Sequence, residues 1–250
     1  MRYALISDIH ANLPALDAVL ADIDARGDVD AIVHAGDLVG YSSFPNEVVS
    51  RLAERGIAGI AGNYDSTVAT GYKHCGCRSE NARQEELAHI SYAYTLQACT
   101  AETKAILGAL PFSLDLRPLG GHLAGPRLVL VHGTPTLNTV YWTEDRDDDF
   151  CRKMAAVVGL KAGDAIAFGH THKPWHRVVD GIHFINTGSV GRPKDGDWRA
   201  GYVLLELGEA AARVEFVRVT YDLAATLAGV RAAGLPEDFV AFLETGGKPG

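Results

Sequence analysis

Seven side chains able to ligate a metal stand at the ends of five short apolar runs in this 250-residue chain. Asp8-Ile9-His10 follows ALIS, Asp37 follows AIVHAG, Asn63 follows IAGIAG, His132 follows LVLV, and His170-Thr171-His172 follows AIAFG. A donor set mixing carboxylate, amide and imidazole suits Mn, Fe or Zn better than Mg or Ca, which prefer all-oxygen shells. Seven donors are enough for two ions, and a paired-ion centre points to hydrolysis. Asp37 is read as the carboxylate that bridges the two. Any one of these residues alone is better read as a cap or a buried hydrogen-bonding group. Their convergence on strand ends favours the metal.

Positioning such residues requires strands. Short Ile, Val and Leu runs bounded by Gly and polar residues read as buried strands, and ligands gather at the carboxyl ends of strands in helix-covered sheets. Alternate strand residues point the same way, so Asp8 and His10 are expected to grip one ion together, and His170 and His172 to face one pocket. Gly36 and Gly169 allow tight backbone turns beside the ions. Strands predicted at 2–8, 30–36 and 57–62 alternate with helices opened by Asn12-Leu13-Pro14 and by Pro45. That order favours a parallel sheet with right-handed crossovers. Residues 64–80 read as a loop, and 80–98 and 101–109 as helices, with Thr100 capping the second. Further strands are predicted near 113–117, 127–131, 165–168, 176–180, 182–186, 201–207 and 213–219, with Asp180-Gly181 a hairpin turn. Helices fill 146–158 and follow Asp222 and Pro236, and 246–250 reads as a frayed tail. With no repeat or linker, residues 1–250 read as one domain.

Composition sets limits on function. With 47% hydrophobic and 22% charged residues the chain is ordinary for a globular protein, and a net charge of −8 argues against a broad nucleic-acid or anionic-membrane surface. No apolar run approaches the ~20 residues that span a bilayer, and ALIS is too short for a secretory signal, so a cytoplasmic location is expected. Cys75, Cys77, Cys99 and Cys151 form no disulfide framework and suit a reducing compartment. His74-Cys75-Gly76-Cys77 lacks the paired spacing of a structural zinc site and reads as a loop with reduced thiols. His34 reads as a core or supporting histidine, and His176 and His183 as structural or exposed. No function is assigned to His89 or His122.

Asp8-Ile9-His10, Gly36-Asp37-Leu38-Val39-Gly40-Tyr41, Gly62-Asn63-Tyr64-Asp65, Val131-His132-Gly133 and Gly169-His170-Thr171-His172 occur in the order found in the calcineurin-like metallophosphoesterases. The chain resembles that family over roughly residues 1–220, and the segment from Asn186 to Asp197 is similar to a loop of its prokaryotic members. It looks most like the small branch carrying phosphodiesterase, diadenosine-tetraphosphatase or protein-phosphatase labels. The resemblance implies an α/β fold, a four-layer αββα sandwich of two mixed sheets flanked by helices. It also implies two divalent metal ions, manganese first, with iron, zinc or nickel as alternatives. One would be held by Asp8, His10, Asp37 and His172, the other by Asp37, Asn63, His132 and His170. A hydroxide shared by ions about 3.5–4 Å apart would attack phosphorus in line. Asp37, Asn63, Tyr64, Asp65 and His132 are the catalytic set so implied.

One position departs from the family motif. Many relatives carry His where this chain has Tyr64, and that His, with the aspartate matching Asp65, is held to protonate or hydrogen-bond the leaving group. A Tyr hydroxyl with an ordinary pKa of about 10 is a poor proton donor at neutral pH, so leaving groups that need little protonation are expected. His74 and Arg78 in the 64–80 loop, and Arg192, are the candidate substrate contacts. The expected partner is a small phosphorylated substrate, nucleotides and dinucleotide polyphosphates among them, and a homo-oligomer stays open. The competing class is a protein-interaction scaffold on the same fold with little or no turnover. Scaffolds tolerate lost ligands, and all seven positions are filled here.

Overall fold

Strand β1 (Arg2–Ile6) puts Tyr3 and Leu5 on one face and Ala4 and Ile6 on the other, and each pair enters a different core. The computed structural model describes residues 1–77, 81–117, 125–208 and 212–248. In it, β1 pairs in parallel with β2 (Ala31–His34), and β2 with β3 (Ala58–Gly59). The crossovers are α1 (Leu13–Arg26), opened by the Asn12 side chain accepting from the Ala15 N–H at 3.3 Å, and α2 (Pro45–Glu54), opened by its proline. Antiparallel β9 (Ala200–Leu207) and β10 (Ala212–Val219) complete a sheet of order β10-β9-β1-β2-β3.

The second sheet has the order β4-β5-β6-β8-β7. Its strands are β4 (Leu114–Leu116), β5 (Leu128–Leu130), β6 (Ala165–Phe168), β7 (Trp175–Val179) and β8 (Ile182–Asn186). β5, β6 and β8 run parallel, with antiparallel edges on both sides. Between the sheets, Tyr3, Leu5 and Val33 meet Leu128, Leu130, Ala165 and Ala167. On the outer face of the second sheet, Phe168 stacks on Trp142 at 4.3 Å, beneath α6 (Asp148–Val157). The outer face of the first sheet carries α1, α2, α3 (Asn63–Thr70), α4 (Ala82–Ala98) and α5 (Ala101–Ala109). Helices α7 (Leu223–Ala232) and α8 (Glu237–Glu244) pack on each other and against α4. The result is an α/β sandwich of two mixed five-stranded sheets flanked by eight helices among the described residues. None of these helices is long and apolar enough to cross a membrane.

Several local expectations are corrected. A helix, α3, stands where a loop was expected from residue 64. NYDSTVAT has no apolar stripe, and carboxylates start the helix instead. Asp65 accepts from the Gly62 N–H at 2.9 Å and Asp37 from the Tyr64 N–H at 2.9 Å, satisfying donors a helix start leaves open. β3 keeps only two paired residues. The tail is tied as far as Gly247, with 249–250 outside the described residues: Gly246 O accepts from the Gly196 N–H, and the Gly247 N–H donates to Phe242 O. The sulfurs of Cys75 and Cys77 lie against each other, while Cys99 and Cys151 are free and buried. Arg78 and His122 lie outside the described residues.

Candidate metal centre

The carboxyl ends of the parallel strands of both sheets supply the site: Asp8 and His10 after β1, Asp37 after β2, Asn63 after β3, His132 after β5, and His170 and His172 after β6. The strand pleat does not orient Asp8 and His10 as expected, because both lie past the strand in left-handed backbone. The φ angles are 50° at Asp8, 49° at His10, 54° at Asp37, 64° at His170 and 59° at His172. An L-residue adopts that region at a cost of about 1–2 kcal/mol each, and it persists only where tertiary structure dictates it. Here the Asp8 N–H donates to Gly36 O at 2.9 Å, the His10 N–H to Asp37 O at 3.0 Å, and the His170 N–H to the Asp8 carboxylate at 3.0 Å. Gly36, at φ 90°, lets its turn approach Gly62 so closely that a Cβ would lie 2.4 Å from Gly62 N.

The ligand atoms fall into two buried groups, Asp8 with His10 and His172, and Asp37 with His132 and His170. His170 and His172 are divided between the groups, as the family resemblance implies. Asp37 Oδ2 lies 3.8 Å from His10 Nε2 and 3.4 Å from His132 Nε2, so this carboxylate stands between them. The outer nitrogens of three rings are engaged: His10 Nδ1 with Val39 O at 3.0 Å, His132 Nδ1 with Ala35 O at 2.8 Å, and His172 Nδ1 with Arg192 O at 2.5 Å. A carbonyl accepts, so each Nδ1 carries a proton and each Nε2 faces inward, where the neutral ring offers a lone pair. The inward atoms of His10 and His172 are only 3.1 Å apart. His170 Nε2 is buried with no hydrogen-bond partner among the described residues. Converging lone pairs and an orphaned imine are what a divalent cation satisfies, so the residues present fit the metal pair.

Asn63 is aimed by the 72–77 segment. Its Nδ2 donates to Cys75 O at 3.0 Å and to Cys77 Sγ at 3.3 Å, which turns Oδ1 toward His132 Nε2 at 3.0 Å. Burial, reinforced by His172 and His132 respectively, drives His10 and His170 down to about 3. Burial and the Lys194 charge hold His172 well below its ordinary value. Neutral imidazole is the ligating form. His132 behaves oppositely: burial opposes its charge, but the Asp37 carboxylate outweighs it and pushes the metal-free ring up to about 10. The same pairing holds Asp37 well below the usual carboxylate range despite its burial.

The other predicted residues are placed as follows. Asp65 accepts from the backbone of Gly62 and Leu38, both at 2.9 Å, and burial with repulsion from Asp37 raises it to about 7. It positions the two turns and does not pair with Tyr64. The Tyr64 hydroxyl is 3.2 Å from Ser91 Oγ, and its ring is fully buried, edge-on to His10. The tyrosine touches the centre through its backbone N–H on Asp37. His74 is not among the ligand atoms and lines a cavity of about 340 Å3 with Cys75, Cys77, Glu85 and His89. His34 is a core residue whose ring lies against Gly59. His176 and His183 stack on each other in the β7–β8 hairpin. Among supporting residues, Ser7, for which no role was read from the sequence, donates its Oγ to Asp8 at 2.7 Å, and within the Asn186–Asp197 segment similar to a family loop Ser189 donates its Oγ to Asp8 O at 2.7 Å. Asn186, bonded to Gly169 O at 2.9 Å, completes them. The end of β8 was the available signal, since it is a third parallel strand of that sheet.

Comparison with known proteins agrees with this geometry. An uncharacterised protein of Methanocaldococcus jannaschii is 31% identical over 251 residues, covering 94% of this chain and 93% of that one. A metallophosphoesterase from Sphaerobacter thermophilus is 30% identical, with a TM-score of 0.76 over 98% of this chain and 99% of that one. A hypothetical protein from Pyrococcus horikoshii shares the fold, with a TM-score of 0.81 at 20% identity over 100% of this chain and 99% of that one. The family described as the calcineurin-like phosphoesterase superfamily domain matches residues 1–210, and the chain belongs to it.

Proposed function

We propose that the protein is a dinuclear metal-dependent phosphoesterase that hydrolyses phosphomonoester or phosphodiester bonds of small substrates. The observation that carries the reading is the inward convergence of the Nε2 atoms of His10 and His172, 3.1 Å apart, beside a carboxylate standing between two ligand groups. Two divalent cations bound there would acidify a water and neutralise charge on phosphoryl oxygens. The first would be held by Asp8, His10, Asp37 and His172, the second by Asp37, Asn63, His132 and His170. The left-handed backbone at five ligands and the carbonyls behind three rings fix the donors before any ion arrives. Preorganised donors do not need to reorganise during the reaction, which is where most of their advantage lies. At the position of the family's leaving-group pair, the Tyr64 hydroxyl is on Ser91, and both Asp65 oxygens accept from backbone N–H groups. That favours leaving groups stable as anions, such as nucleotide phosphates or aryl alcohols.

The test is a screen of the chain reconstituted with Mn, Fe, Zn or Ni against p-nitrophenyl phosphate, bis-p-nitrophenyl phosphate, cyclic nucleotides and diadenosine tetraphosphate. Metal-dependent turnover lost in Asp37→Asn supports the reading. A folded, metal-loaded protein that turns over none of them rejects it.

A further inference from the structure

The guanidinium carbon of Arg192 lies 3.8 Å from the ring centroid of Tyr41 and 3.7 Å from that of Phe242, so aromatic rings cover it from two sides. Such contacts contribute about 0.5–2 kcal/mol each and orient the group, but they do not neutralise it. Arg218, Arg127 and Arg55 each meet a carboxylate, on Asp195, Asp115 and Asp24. Arg192 pairs with none among the described residues; burial disfavours its charge, and the Tyr41, Tyr64 and Tyr141 side chains near it act the other way. A largely enclosed cation covered by two rings keeps its in-plane N–H fork for an anion, and that fork matches phosphate oxygens.

Arg192 is anchored beside the metal centre. Its carbonyl accepts from His172 Nδ1 at 2.5 Å, and its charge reaches both His10 and His172. The stack is held by strained backbone: Tyr41 has φ 62°, a left-handed conformation costing a bulky residue about 1–2 kcal/mol. Phe242 comes from α8, beyond the 1–210 segment that the family describes. Bonds from Gly196 N–H to Gly246 O and from Gly247 N–H to Phe242 O tie that helix to the loop following Arg192.

We propose that Arg192 is a specificity-determining residue that grips a second phosphate of the substrate, adjacent to the one hydrolysed, and that α8 completes this subsite through Phe242. The inference rests on the phosphoesterase reading and names its substrate class, phosphoanhydrides. Water adds to the scissile phosphorus and releases a proton to solvent, the bond from that phosphorus to the bridging oxygen breaks, and the second phosphate departs with the electron pair. The Arg192 fork meets that charge, so no proton donor is needed.

The test measures binding of pyrophosphate and of inorganic phosphate to the manganese-loaded full chain by calorimetry, alongside turnover of diadenosine tetraphosphate and p-nitrophenyl phosphate. Wild type binds pyrophosphate more tightly than phosphate. Arg192→Ala weakens pyrophosphate binding about 10–100-fold, the worth of charge-assisted hydrogen bonds, and raises KM for diadenosine tetraphosphate more than for the aryl ester. Arg192→Lys, which keeps the charge without the fork, falls between. Phe242→Leu, which keeps the bulk but not the ring, loses about 2–5-fold. Equal losses for the two ions, no loss in Arg192→Ala, or a wild type that does not prefer pyrophosphate each overturn the proposal. Pyrophosphate binding that depends on Arg192 in a protein with no turnover rejects the phosphoesterase reading and leaves the subsite standing.

Discussion

Replacing Gly36 with alanine tests whether the close approach of two turns builds the centre. A Cβ on Gly36 would lie 2.4 Å from Gly62 N and 2.7 Å from Gly62 Cα, where ordinary contact begins at 3.4 Å. These neighbours are backbone atoms, so no rotamer relieves the overlap and the turns must separate by about 1 Å, given the 2.4 Å approach. Asp37 follows one turn and Asn63 the other, so the separation displaces a ligand on each side. Gly27→Ala is the matched control: it also has positive φ, 68°, but nothing lies within 4 Å of its Cβ position. The control carries only the left-handed penalty, about 1 kcal/mol. Gly36→Ala adds overpacking of about 1–3 kcal/mol, for a total of about 2–4. In a chain of this size each kcal/mol lowers Tm by about 2 °C, so the expected losses are about 4–8 °C against about 2 °C. Thermal unfolding followed by circular dichroism in chelator reads the stability, and manganese titration reads the ligands. Manganese affinity should fall at least about tenfold in Gly36→Ala and stay at the wild-type value in Gly27→Ala. Equal melting temperatures and equal affinities in the two variants would refute the reasoning.

Three further outcomes are expected. His132 in the metal-free protein is raised to about 10, so at pH 7 it is protonated and cation uptake there expels about one proton. Affinity then rises with pH, and calorimetry in buffers of differing ionisation enthalpy should give different apparent heats; identical heats contradict it. Because the folded pKa of His132 is raised and that of Asp37 lowered, the pair stabilises the metal-free fold fully between about pH 4 and about pH 6.5, losing that contribution as pH rises through about 10 or falls below the ordinary carboxylate range. Tyr64→His introduces a titratable donor, and rates on alkyl phosphates should rise relative to aryl phosphates by at least about 10-fold; an unchanged ratio counts against the leaving-group argument. Trp142→Ala removes a fully buried ring stacked at 4.3 Å on Phe168, costing about 3–5 kcal/mol; a melting temperature within about 2 °C of wild type would show that α6 collapses into the gap.

Much of the architecture was legible because it is written in local periodicity. β1, β6 and β8 alternate or run apolar as buried strands do, and the Asp180-Gly181 pair, with φ 51° and 77°, makes the expected turn between β7 and β8. Helix α3 was not legible, since its first donors are satisfied by Asp37 from another turn as well as by its own Asp65. The tied tail was missed for a similar reason: Gly246 and Gly247 carry no side chain, and their bonds go to Gly196 and Phe242.

The sequence alone determined which chemical groups could gather and where along the chain, because strand ends and flanking glycines are read over a few residues. How those groups are divided was implied by the family resemblance and not by residue spacing. His170 and His172, two residues apart, join different ligand groups because both sit in left-handed backbone, a state that local sequence disfavours and only surrounding structure can impose. Likewise, the orientation of the Asn63 amide comes from the 72–77 segment, and the stack on Arg192 from a helix some 50 residues later in the chain. Contacts between distant segments decided which atoms face the ions, since only packing can hold strained backbone and unpaired charge in place.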